Sequence, residues 1–214
     1  STLINVLFFL LGFLRMSTTG LTAQAYGAAS PDEQLQHLAH GLFSAVCLAA
    51  LLLLLQYPVI WLLLQFSTAS MEVSQQAVLY FCTRIWSAPA TLSNMVIIGW
   101  LLGRQNARYP MLILLLTNLV NIVLDLLFVL GFGWQVQGIA AASVVADYSG
   151  LLLGLWLVKR SLPQHALLHK SLPAALWHHL QHRSGISRLF QLNRDIFLRS
   201  LCLQMVFAFI AFQG

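Results

Sequence analysis

Asp125 is an ionisable residue inside an apolar run, flanked by Val123, Leu124, Leu126 and Leu127. Asn121, Asn118 and Thr117 precede it by four, seven and eight residues. At 3.6 residues per turn these spacings put four polar side chains along one stripe of a helix, and that stripe is expected to face inward. Removing a carboxylate from water disfavours its charged form and brings protonation within physiological reach. The two amides and the hydroxyl add oxygen ligands suited to a small hard cation. A proton or sodium site is therefore the chemistry this set could perform. The alternative is structural, because Asn and Asp also tie neighbouring transmembrane helices together.

A second polar pair, Ser143 and Asp147, has i, i+4 spacing in the next apolar segment and is followed by Tyr148 and Ser149. Gly138, Ala140, Ala141, Ala142 and Ala146 surround it, and such small residues let helices approach closely. Ser143 could then come within reach of Asp125. Asp147 could line a cavity or pair with Arg84 or Arg15. Pro89 lies in a run with Arg84, Ser87, Thr91, Ser93 and Asn94, and it implies a kink whose freed carbonyl needs another partner.

Other chemistries find less support. His165 and His169, and the group His178, His179 and His182, have partly metal-compatible spacing, but no Asp, Glu or Cys adjoins them to complete a ligand set. With Leu172, Leu176, Trp177 and Leu180 they suggest an amphipathic interfacial helix. The three cysteines, Cys47, Cys82 and Cys202, all lie in apolar stretches, so neither a structural disulfide nor a metal site is expected. No P-loop occurs, which argues against ATP coupling. An intramembrane enzyme would need a catalytic set within the spans. His40 lies only at a span edge, and Asp125 with Asp147 is a weak aspartyl-protease analogy, so no enzyme is expected.

The elements that must position these residues follow from composition. Of 214 residues, 59% are hydrophobic and only 8% charged, against roughly 25% charged in a soluble domain. Too little charge is present to coat a water-facing surface, and intrinsic disorder is excluded for the same reason. The expected fold class is all-α, a polytopic helical membrane protein. Apolar runs at 40–64, 73–103, 110–133 and 138–158 have the length of spans, since about 20 apolar residues cross the hydrocarbon. Two further runs, 3–14 and 196–212, read as spans cut by the chain ends, so the sequence reads as an internal fragment. The first lacks the basic n-region and cleavage site of a signal peptide.

Basic residues set the orientation. Eight of the eleven lie after the 73–103 run (Arg104, Arg108) or in the connection before the last run (Lys159, Arg160, Lys170, Arg183, Arg188, Arg194). The alternate loops, 67–72 and 131–137, contain none. The basic loops should face the cytoplasm, and alternation puts a 29–39 loop there as well. The formal net charge of +5 thus reflects topology, and no nucleic-acid partner is expected.

Four stretches carry a family resemblance. The run Arg15-Met16-Ser17-Thr18-Thr19-Gly20-Leu21-Thr22-Ala23-Gln24-Ala25-Tyr26-Gly27-Ala28 resembles the end of the second transmembrane helix of multidrug and toxic compound extrusion (MATE) transporters, in the bacterial DinF branch. Trp86-Ser87-Ala88-Pro89-Ala90, Asn121-Ile122-Val123-Leu124-Asp125 and the run from Leu192 to Ser200 resemble the same branch, in order. The resemblance implies part of a twelve-helix, two-lobe bundle, from helix two to the start of helix seven. Residues 1–158 would belong to the amino-terminal lobe, 159–194 to a cytoplasmic inter-lobe linker, and 195–214 to the start of the second lobe.

The implied activity is export of organic compounds in exchange for protons or sodium, by a monomer in the bacterial inner membrane, with no cofactor beyond the coupling ion. By resemblance Asn121 and Asp125 match the asparagine and aspartate of the family's cation site. Ser143 stands where a threonine hydroxyl is usual and keeps the oxygen. Thr117, Asn118 and Asp147 are possible lining residues. The family's helix-one aspartate would precede residue 1, so this segment alone is not expected to transport. A lipid-linked oligosaccharide flippase of the same superfamily is the alternative, although an anionic cargo calls for more arginine at depth than Arg15 and Arg84 supply.

Overall fold

The computed structural model describes residues 12–66, 71–134 and 136–162, and these are helical with no strand. Among them are six α-helices: α1 (Phe13–Gly27), α2 (Pro31–Phe66), α3 (Met71–Arg84), α4 (Ala88–Gly103), α5 (Arg108–Leu126) and α6 (Val136–Ser161). A 3₁₀ turn, Ile85–Ser87, joins α3 to α4, and a π turn, Leu127–Gly131, extends α5. Four stretches are long and apolar enough to cross a bilayer: Pro31–Pro58, Ser74–Gly103, Arg108–Gly131 and Val136–Ser161. The last three match the runs read from the sequence to within three residues, whereas the first begins nine residues before the expected 40–64 run and ends six residues short of its end. The histidine groups, Cys202, the 163–194 part of the expected linker and residues 195–214 lie outside the described residues.

One boundary differs from expectation. The 29–39 stretch, read as a loop, is helical from Pro31 onward. Proline is preorganised for the first helical turn, where its missing N–H is no loss. Asp32 and Glu33 occupy that same turn, where negative charge complements the helix dipole.

The bundle is built around α4. Leu92, Val96, Ile97, Trp100 and Leu101 are all fully enclosed, and α1, α2 and α6 pack around them. The indole Nε1 of Trp100 donates to the carbonyl of Gln34 at 2.8 Å, fixing the start of α2 against the end of α4. Gly99 permits the approach of α1, because a Cβ there would stand 2.6 Å from the carbonyl oxygen of Arg15. Along α1 the hydroxyls of Ser17 and Thr18 donate to Leu14 O at 3.2 and 2.7 Å, and that of Thr19 to Arg15 O at 2.7 Å. Returning these donors to their own helix lets a hydroxyl-rich sequence pack in an apolar setting.

By contrast, α5 is peripheral. Only Pro110 and Ile113 on it are buried, while Leu112, Leu115, Leu119, Ile122 and Leu126 are exposed. An exposed leucine-rich face suits hydrocarbon, where water is absent and the helix satisfies its own backbone. α5 and α6 run antiparallel: Gly138 abuts Phe128, and Gly154 abuts Ile113 and Ile97. This brings Arg104, Arg108, Lys159 and Arg160 to one end of the bundle. Arg104 stacks 4.6 Å from the Trp100 ring centroid and Arg160 5.4 Å from that of Trp156. Burial holds the Arg104 guanidinium below its ordinary pKa, an effect that Tyr26 opposes. At the opposite end Phe128, Phe132 and Trp134 cluster, with Phe128 and Trp134 centroids 5.4 Å apart.

Candidate functional site

The polar row of α5 meets α6 on successive turns. Thr117 Oγ1 donates to Ile113 O at 2.8 Å and lies against Gly150, where a Cβ would collide with it. One turn on, Asn121 Nδ2 donates to Ser143 Oγ at 3.1 Å. Another turn on, Asp125 is half-buried, and its Oδ1 is enclosed with no hydrogen-bond partner among the described residues. No hydrogen bond there joins Ser143 to Asp125, so the serine reaches the row through Asn121. The π turn begins two residues after Asp125, and such local widening recurs at functional sites.

Asn118 departs from the expected inward stripe, because it is exposed. Adjacent residues on a helix are about 100° apart around the axis. Seating Thr117 against α6 therefore turns Asn118 away, and the stripe narrows to Thr117, Asn121 and Asp125.

The structure pairs Asp147 with Arg84. Arg84 Nη1 donates to Asp147 Oδ2 at 2.7 Å, and the two side chains are 16% and 15% exposed, largely shielded from water. Thr91 Oγ1 donates to the same Oδ2 at 2.9 Å, and Asn94 Nδ2 to the Asp147 carbonyl at 2.9 Å. Arg84 Nη1 also donates to Ser87 Oγ. Arg15 is exposed. The break ahead of Pro89 is internally satisfied: Ser87 Oγ donates to Arg84 O at 2.9 Å, and the Ala88 N–H donates to Ile85 O. The carbonyl left free by proline thus finds a partner within the break.

Thr91 and Asn94 were visible in the sequence only as polar residues within a span. Their i, i+3 spacing on α4, facing a carboxylate on a helix 50 or more residues later, was the available signal. Gly150 gave none, since only its neighbours show why a side chain is excluded.

An ionised carboxylate is acceptor-only, so an enclosed oxygen without a donor is costly unless a proton or cation meets it. Asp125 Oδ1 is such an oxygen. The Oδ1 of Asn94 is likewise enclosed without a donor among the described residues. Among the described residues no group of three or more His, Cys, Asp or Glu side chains is gathered as a metal site would gather them.

Comparison with known proteins agrees with this architecture. The MatE family model matches residues 1–127. The DNA damage-inducible protein F of Escherichia coli (strain K12) is 45% identical over all 214 residues, which correspond to 45% of its own length. The chain thus spans a little under half of that curated relative. A crystal structure of MATE in complex with MaD3S superposes with a TM-score of 0.76 over 94% of this chain and 44% of its own, at 24% identity. An inward-facing multidrug resistance MATE family transporter of the MOP superfamily gives a TM-score of 0.75 over 90% of this chain and 42% of its own, at 20% identity. The fold, the ordered motifs and the match to the family model converge, and the chain belongs to the MatE family.

Proposed function

We propose that the protein is a secondary active exporter of multidrug type, which antiports organic compounds against protons or sodium by alternating access, as a monomer in a bacterial inner membrane. The observation that carries this reading is the enclosed Oδ1 of Asp125, without a hydrogen-bond partner among the described residues, one turn beyond the Asn121–Ser143 hydrogen bond. Asp125, Asn121 and Ser143 would bind the coupling ion, with Thr117 and Asp147 as lining. Filling the site neutralises a buried charge and changes how α5 rests on α6. Only a difference in ion affinity between the two access states can then drive the cycle. Asp147 is ion-paired with Arg84, which neutralises an arginine that an anionic flippase cargo would need.

The test is efflux of a fluorescent organic cation from efflux-deficient cells expressing the complete polypeptide that carries this segment. Wild type and Asp125→Asn are compared at matched membrane abundance, with and without an ion gradient. Gradient-dependent efflux lost in Asp125→Asn is the expected result. Equal efflux would reduce Asp125 to helix packing, and wild-type protein that moves no organic cation would refute the export reading.

A further inference from the structure

We propose that Asp147 is a clamp across the helix break ahead of Pro89, holding α3 and α4 at one angle against α6, and that its release is the hinge step of the transport cycle. The second clause rests on the transport reading above; the first rests on geometry alone.

A single atom, Asp147 Oδ2, accepts from Arg84 before the break and from Thr91 after it, at 2.7 and 2.9 Å. The main chain of Asp147 is held as well, since Asn94 donates to its carbonyl. Asp147 is therefore fixed to α4 twice and to the end of α3 once. The break needs none of these bonds to satisfy its own carbonyls, because Ser87 and Ala88 already do so. What the Asp147 bonds add is an angle. Donors on both sides of the turn must point at one oxygen, and only a narrow range of α3 directions allows this.

The two arms of the break are unequally anchored. On α4 most residues are buried, whereas the described part of α3 buries only Phe81 and leans on α6. Loosening the clamp would let α3 swing while α4 stays in the core. A hinge of a few residues at an element boundary, between one fixed and one lightly held body, is the usual anatomy of such a motion.

The clamp is also connected to the α5 row. Ser143, which accepts from Asn121, lies one helical turn before Asp147 on α6. A small rotation of α6 that alters the Asn121–Ser143 bond therefore moves Asp147 relative to Arg84 and Thr91. Charge-assisted bonds shielded from water are strong and depend steeply on geometry, so a small displacement of α6 weakens the clamp sharply.

The experiment places spin labels at two exposed positions, Leu79 on α3 and Leu152 on α6, in the complete polypeptide with native cysteines replaced, reconstituted in nanodiscs. Pulsed dipolar spectroscopy then gives the distance distribution. Wild type should show one dominant distance. Asp147→Ala should raise the minor population about tenfold, the scale of losing a charge-assisted hydrogen bond, and Thr91→Val should move it the same way by less. Dye efflux by Thr91→Val should change in maximal rate with KM unaltered. Distributions superimposable on wild type in both variants would overturn the clamp, and Thr91→Val decides alone if Asp147→Ala does not fold. A shifted distribution with wild-type efflux would overturn the hinge role. A shifted distribution beside a wild type that exports nothing would support the clamp and place the failure in the transport reading.

Discussion

Asn121 on α5 and Ser143 on α6 share a hydrogen bond of 3.1 Å, and it joins the row that ends at Asp125 to the neighbouring helix. Ser143→Ala removes the acceptor and leaves a half-buried amide unpaired, a cost of about 0.5–1.5 kcal/mol. The predicted result is coupling-ion affinity weakened about two- to tenfold, with Ser143→Thr close to wild type because the oxygen is kept. Ion titration followed by thermal unfolding in detergent measures both.

Asp125 makes a prediction of the opposite kind. If an ion meets its enclosed oxygen, a saturating coupling ion stabilises the folded protein by mass action, about 2.7 kcal/mol at a hundredfold excess over Kd. Asp125→Leu should abolish that increment yet be no less stable than wild type without ion, since it removes a buried oxygen that has no partner among the described residues. Thermal midpoints with and without ion check this, and an ion-dependent rise retained in Asp125→Leu would place the ion elsewhere.

Gly150 and Gly99 separate two kinds of tight contact. Gly150→Ala drives a methyl into the Thr117 hydroxyl and should cost about 1–3 kcal/mol of stability, relieved in the Gly150→Ala/Thr117→Ala double variant. Gly99→Ala meets the backbone of Arg15, so no neighbouring side-chain truncation should rescue it. Thermal unfolding of these variants and of Gly99→Ala/Thr19→Ala is the measurement, and rescue of Gly99→Ala by Thr19→Ala would contradict the backbone contact.

The distribution of basic residues predicts sidedness. Single cysteines at Gln137 and at Ser161, in a background without native cysteines, should differ in intact cells: a membrane-impermeant thiol reagent labels the first and reaches the second only after permeabilisation. The reverse pattern would invert the topology.

Much of this architecture was legible because apolar run length and hydroxyl-rich small-residue motifs are local properties. The four span positions needed only composition. Asp125 and Asn121 announced themselves as polar groups where few occur. What stayed hidden depends on rotation and on distant partners. Helical periodicity put Asn118 within reach of the inward stripe, but the contact of Thr117 with Gly150 decides the rotation of α5 and turns Asn118 out. The partner of Asp147 was open between Arg84 and Arg15 because both are single cations at span depth, and only packing of α3 on α6 selects Arg84. The start of α2 was legible in Ser30-Pro31-Asp32-Glu33, yet hydrophilicity made it look like a loop.

The span Ser74–Gly103 has 30 residues. At 1.5 Å per residue it is about 45 Å long, half as long again as the roughly 30 Å of hydrocarbon it crosses. Such a surplus is taken up by tilting or bending, and the break at Ile85–Ser87 lies near its middle. Bilayer thickness is thereby a mechanical load on that joint. Lipids with shorter acyl chains should bend the span further and strain the bonds around Asp147, whereas longer chains should straighten it. Reconstitution across a series of acyl-chain lengths should therefore shift the separation of α3 from α6 monotonically, making the membrane itself an input to this helix pair.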